Sequence, residues 1–146
     1  MSKITSFTGQ YQFLSNFYPC QIVWQGLDFP TAEHLYQFRK MYYPLDAEYV
    51  RVQITPGRAR KVAHKLAMRL DWEQVKQTVM VSVLYEKFRM NPSLWGMLQD
   101  TKPNKLIEGN KWKDMYWGMV WQDGEWRGKN ILGELLMFLR DNNTNL

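Results

Sequence analysis

Three carboxylates in this chain stand where an acid could do chemistry. The first is Glu33, in the run Phe29-Pro30-Thr31-Ala32-Glu33-His34-Leu35-Tyr36-Gln37-Phe38-Arg39-Lys40. Thr31 is the expected N-cap of a helix, with Pro30 at its entry. A capping box would put Glu or Gln at position 34, which is His34, so capping leaves Glu33 unexplained. Glu33, Tyr36, Gln37 and Lys40 recur at i, i+3, i+4 and i+7 and share one helical face: acid, aromatic, amide, base. Leu35, Phe38 and Tyr42 form a neighbouring apolar stripe. A helix with one packing face and one mixed polar-aromatic face reads as the wall of a site. The second acid, Asp114, lies inside Trp112-Lys113-Asp114-Met115-Tyr116-Trp117-Gly118. A carboxyl among apolar rings tends toward a raised pKa, which suits a general acid. The third, Glu108, stands between Ile107 and Gly109. For each the ordinary alternative is a solvated or ion-paired acid.

Other residue types leave two uses open. Trp112, Trp117, Trp121 and Trp126 fit cross-strand packing in a small sheet, or stacking on a planar ring. Trp72, at the predicted start of a helix, is either a boundary packing residue or a ligand contact. Gly128-Lys129-Asn130 precedes the last helix, and a capped N-terminus beside a lysine suits phosphate. Gly133 in the first turn of that helix implies a close approach, by a ligand or by another backbone. Dinucleotide, P-loop and nucleophile-elbow motifs are missing. The one cysteine, Cys20, permits no internal disulfide. His34 and His64 lack metal-ligand spacing, so neither metal nor cofactor is expected.

These residues need a scaffold, and 146 residues suffice for one domain with a real core. A net charge of +5, without a long basic run, fits an anionic partner such as a nucleotide or phosphorylated metabolite. No stretch reads as a signal peptide or membrane span, and the expected setting is a reducing cytoplasm. The pattern predicts a strand ending at Gly26, a helix from Thr31 to about Tyr43 stopped by Pro44, and a basic helix over 58–68. Asp71, with Gln74, is the expected capping box of the longest helix, Trp72 to Met90. A short helix from Pro92, a strand near 106–108, a hairpin at Asp123-Gly124 and a final helix over 131–141 complete the chain. The class is α+β, mostly α-helical with a small β element.

In order, the motifs are Phe-Leu-Ser-Asn-Phe-Tyr-Pro (13–19), Pro-Thr-Ala-Glu-His (30–34) with Gln37 and Lys40, then Trp72 and Lys87-Phe88. Leu94, Leu106 with Glu108, Asp114, Trp117-Gly118, Gly128-x-Asn130-x-Leu132-Gly133, Leu136-Met137 and Arg140 follow. Together they resemble the NADAR, or YbiA-like, family, from about Phe7 to Arg140. The resemblance implies a single domain over 1–146 and an N-glycosidase. Family members of one kind release the base from early riboflavin-pathway intermediates. Others remove ADP-ribose from guanine, including guanine in DNA.

The resemblance also carries over residues. The family's functional acid falls on Glu33, its functional tryptophan on Trp72 and its late acid on Asp114. Asn16, Tyr36, Gln37 and Lys40 would line the substrate site. So would Glu108, Trp117, Gly118 and Asn130, with Lys40, Asn16 and the Asn130 helix start toward phosphate. The partner is then a small phosphorylated ribosyl substrate or an ADP-ribosylated nucleic acid. The alternatives are a non-catalytic binder of ADP-ribose or nucleotides, and a DNA-binding adaptor suggested by the basic pI alone.

Overall fold

The computed structural model describes residues 2–142. In chain order the elements are β1 (Lys3–Ile4), a 3₁₀ turn (Gly9–Leu14), β2 (Ile22–Trp24), β3 (Leu27–Phe29), α1 (Ala32–Lys40), α2 (Pro44–Arg51) and α3 (Pro56–Ala63). Then come α4 (Trp72–Met90), α5 (Pro92–Gln99), β4 (Lys105–Leu106), β5 (Val120–Gln122), β6 (Glu125–Arg127) and α6 (Ile131–Asn142). The fold is α+β, with helix dominant. The chain divides into two compact units, Asn16–Asn91, and Met1–Ser15 with Pro92–Leu146.

In the unit Asn16–Asn91, β2 and β3 form an antiparallel hairpin in which Ile22 faces Phe29 and Trp24 faces Leu27. Its turn, Gln25-Gly26, has φ of 50° and 78°, the left-handed pair that a two-residue hairpin needs. α1 begins as expected: the Thr31 side chain accepts from the backbone N–H of His34. It ends at Lys40, earlier than Tyr43, and Pro44 opens α2 instead of merely stopping α1. Proline suits a first helical turn, where its missing N–H would have had no partner. α3 is also shorter than the expected 58–68, running from Pro56 behind a Thr55 cap to Ala63. Met41, Ala47, Val50, Ala59 and Ala63 pack together, with Phe38, Val62 and Leu66 against them.

α4 spans the predicted residues, but Asp71 makes no side-chain cap bond. Arg69 takes both Asp71 carboxylate oxygens, at 2.7 and 3.0 Å, so the expected capping box does not form. Val79, Met80, Val83, Leu84 and Phe88 bury one stripe of α4, and Lys87 is buried with them.

In the other unit, β1 and β4 pair in parallel, Ile4 with Leu106. β4 covers Lys105–Leu106 and stops short of Glu108. β5 and β6 form the hairpin predicted from Asp123-Gly124, both at positive φ. Trp121 and Trp126 meet across it edge to face at 5.3 Å, which is the packing use of these rings. Leu132, Leu136 and Leu139 bury one face of α6, while Phe138 on the other stripe stays exposed.

Candidate active site

α1 presents an unusual burial pattern. Every residue from Ala32 to Gln37 is buried, so the polar-aromatic face is covered as fully as the apolar one. The helix start is rigidly fixed. His34 Nε2 lies 2.9 Å from the Gln53 carbonyl oxygen, and Nδ1 lies 2.8 Å from Thr31 Oγ1. A carbonyl can only accept, so Nε2 carries the proton and Nδ1 accepts from the Thr31 hydroxyl. Burial pushes the His34 pKa down, which keeps the ring neutral.

Glu33 is 6% exposed. Its backbone N–H donates to the Asn16 carbonyl at 3.0 Å, and its Oε2 accepts from Gln37 Nε2 at 3.3 Å. Burial pushes the carboxyl pKa up, against the Gln37 hydrogen bond and the charges of Arg60 and Lys40. Lys40, half-buried, is pushed down mainly by burial, while Glu33 pulls it up and Arg60 adds to the depression. A desolvated carboxylate with cations at its flank suits a substrate that develops positive charge at one atom and carries phosphate at another. Trp72 is buried against Tyr36, with ring centroids 5.2 Å apart at 60°. Asn16 Nδ2 donates to the Met80 sulfur at 3.3 Å. The structure thus brings Asn16, Glu33, Tyr36, Gln37, Lys40 and Trp72 together within one unit.

The remaining expected site residues, all in the other unit, build a backbone nest. Asn110 Oδ1 accepts from the N–H groups of Trp112 and Asp114, and its Nδ2 donates to the Asp114 carbonyl. Asp114 Oδ1 in turn accepts from the N–H groups of Tyr116 and Trp117, at 3.0 and 2.9 Å. Side-chain oxygens thus fold the chain back on itself twice. Trp117 meets Tyr116 edge to face at 4.9 Å. A side chain at Gly118 would strike the Glu108 carbonyl and Asn110 Nδ2, so only glycine fits there.

Glu108 sits inside this nest. Its Oε2 is buried without a hydrogen-bond partner among the described residues. Burial, with the Asp114 charge adding to it, pushes its pKa up to about 7. Asn130 spends its whole side chain on backbone: Oδ1 accepts from the Glu108 N–H, and Nδ2 donates to the Leu106 carbonyl, each at 2.9 Å. The N–H groups of Ile131 and Leu132 donate to the Tyr116 and Trp117 carbonyls. The first N–H groups of α6 are therefore engaged by protein and are not open to phosphate. Gly133 resolves likewise, since an added side chain would meet the Leu106 carbonyl and Asn130. Another backbone, and not a ligand, makes that approach.

Sequence reasoning missed three residues. Arg60 acts on Glu33 from α3, a long-range placement with no local signal. Asn110 organises the nest through turns to positions two and four residues on, a spacing that could have been noticed. Lys87 is fully buried, its Nζ 5.4 Å from the Phe88 ring centroid, and its pKa is pushed down to about 8 by burial. Its place on the buried stripe of α4, next to Phe88, was the available clue.

Both the sequence and the helix-dominated α+β fold match known proteins. Residues 5–142 match the family model for the NADAR domain. This chain is 36% identical over 138 residues to N-glycosidase YbiA of Escherichia coli strain K12, covering 93% of this chain and 84% of that one. It is 34% identical over 137 residues to the riboflavin biosynthesis protein VVA0006 of Vibrio vulnificus, covering 88% of this chain and 35% of that longer protein. The NMR structure of the E. coli protein YbiA superposes with a TM-score of 0.82 at 35% identity, over 97% of this chain and 85% of that one. The chain belongs to the NADAR family.

Proposed function

We propose that this chain cleaves the bond between a planar base and a phosphorylated ribose, with Glu33 as the carboxylate that serves the sugar. It is a hydrolase acting on N-glycosyl bonds, as its relatives named N-glycosidase are. The observation that carries the residue assignment is the buried Glu33, held between Asn16 and Gln37 with Lys40 and Arg60 at its flank. As the base departs, the C1′–N bond breaks, its electron pair goes to the base, and C1′ becomes oxocarbenium-like. A pre-placed carboxylate stabilises that cation and takes a proton from the attacking water. The base leaves most easily with a proton on it. In this reading that proton is the part of Asp114, the late acid of the family pattern. Trp72 with Tyr36 forms the aromatic wall, and Lys40 receives the phosphate.

The substrate is nucleoside-like. We place it among ADP-ribosyl-guanine, free or in DNA, and the early riboflavin intermediates; the riboflavin-named relative favours keeping the second. The setting is cytoplasmic, in keeping with one free cysteine. No helix among the described residues is long and apolar enough to cross a membrane. The test incubates the protein with both substrate types and follows released base by chromatography. Glu33→Gln and Asp114→Asn are expected to keep the fold and lower turnover by ~10²–10⁴. Asn at 114 can still accept from the Tyr116 and Trp117 N–H groups, so its loss would report chemistry. Full turnover in both variants would sink the assignment.

A further inference from the structure

The basic excess of this chain is concentrated in one stretch. Residues 49–70 hold six of the 19 lysines and arginines and none of the 14 acids, leaving 13 cations against 14 acids elsewhere. Arg51 and Arg69 are paired with Glu48 and Asp71, and Arg60 acts on Glu33. Arg58, Lys61 and Lys65 remain. All three are exposed, and none has a carboxylate within ion-pair distance among the described residues. Lys61 and Lys65, one turn apart, repel each other, a local cost that no acid here relieves.

Arg58, Lys61 and Lys65 recur at i, i+3 and i+7, on one face of α3 and of the turn that follows it, where the Lys65 N–H donates to the Val62 carbonyl at 3.0 Å. At 1.5 Å per residue the row is ~10 Å long. The surface there is concave: with Thr55, Gly57 and Val62 the three cations line a groove of about 470 Å³. α3 buries Ala59 and Ala63 on its other side. Arg60, two residues and ~200° round the helix from Arg58, leaves by a different face. Phe17 stands at the Gly57 end of the groove. A Cβ at Gly57 would lie 3.9 Å from the Phe17 ring, and Phe17 is 41% exposed.

We infer that this groove docks a single nucleic-acid strand, with Arg58, Lys61 and Lys65 on its phosphates and Phe17 stacked on a base. A row of cations without acids tracks a phosphate backbone, and a ring beside it adds the sequence-tolerant contact of single-strand binders. A groove of this volume admits one strand, whereas a duplex would ride over its rim. An anionic lipid surface is flat and would leave the concavity unfilled. The groove lies on a face of α3 other than that of Arg60, and strand docking needs none of the catalysis proposed above.

Fluorescence anisotropy with a labelled, unmodified oligothymidylate tests this. Affinity should fall with salt at a log–log slope of about −2, the value for three phosphate contacts on a single strand. Lys61→Ala with Lys65→Ala should bring the slope to about −0.7 and weaken binding ~10-fold or more at about 0.1 M salt. Phe17→Ala should weaken binding ~10-fold and leave the slope unchanged. Lys111→Ala with Lys113→Ala removes the same charge from exposed positions outside the groove and should change the affinity little. The exposed lysine pair decides the matter even if Phe17→Ala does not fold. No strand binding by the wild type overturns the inference. So does an equal loss in the two lysine pairs, an unchanged affinity in folded Phe17→Ala, or tighter binding of the matching duplex. Capture by phosphatidylserine vesicles without strand binding would assign the groove to a membrane and overturn it as well. Base release from a free nucleotide substrate should be equal in the wild type and the Lys61/Lys65 pair; a loss there would place these lysines on the catalytic substrate and overturn the inference.

Discussion

A carboxyl with a pKa near 7 is half-protonated in neutral solution, and Glu108 is such a group. The sign of its effect on stability follows from linkage. Its folded pKa lies above its ordinary value of 4.5, so between those values the folded state binds more protons than the unfolded one. Stability from this group is full below 4.5 and is lost as pH rises toward 7. At ~1.4 kcal/mol per pH unit the loss is at most about 3 kcal/mol. Glu108→Gln has no carboxyl to titrate there, so its melting temperature should overtake that of the wild type as pH rises from 4.5 to 7. A constant gap between the two melting curves across that range would show that burial does not control Glu108. The sequence pointed to Asp114 as the acid among rings. The rings adjacent in sequence do not enclose it: Trp112 is 64% exposed. Desolvation depends on what the folded chain places around a group, and sequence neighbours are poor guides to that. Glu33 was more legible, because helical spacing fixes which residues share its face.

At the scale of elements, the two expected caps separate cleanly. Thr31 both accepts from the His34 N–H and reaches His34 Nδ1, and it starts the helix that carries Glu33, Tyr36, Gln37 and Lys40. Thr31→Ala should therefore cost about 1–2 kcal/mol in urea unfolding, with Thr31→Ser largely restoring the loss. Asp71→Ala should cost clearly less, since Asp71 makes only an exposed ion pair with Arg69. Comparable losses for Asp71→Ala and Thr31→Ala would contradict these cap assignments. The reason one cap was readable and the other was not is competition. Thr31 spends its oxygen on His34, whereas Arg69, two residues before Asp71, takes both carboxylate oxygens. Proline was ambiguous for a related reason: Pro44 both forbids continuing α1 and favours starting α2. Hydrophobic periodicity settled α4 because it persists from Trp72 to Met90. α2 and α3, at eight residues each, are too short for periodicity to set their ends.

For the molecule as a whole, the class, most element positions and the Asp123-Gly124 hairpin turn were legible, since glycine and apolar alternation act locally. What the sequence left open at Gly133 and Asn130 was decided by contacts between distant segments. Asn130 has a consequence beyond the site. β1 occupies one side of the 105–107 segment, where the Lys105 and Ile107 N–H groups donate to Ser2 and Ile4. On the other side the Asn130 amide accepts from the Glu108 N–H and donates to the Leu106 carbonyl, the two groups that flank Ile107. That is the hydrogen-bond pattern of a residue in a parallel neighbouring strand. One side chain thus impersonates a third strand beneath α6, where the Gly133 backbone lies against the Leu106 carbonyl. Asn130→Ala should leave both backbone groups buried without these partners beneath α6 and cost about 1–3 kcal/mol in urea unfolding. The asparagine is then a clasp between two distant segments, a duty independent of whichever base the enzyme releases.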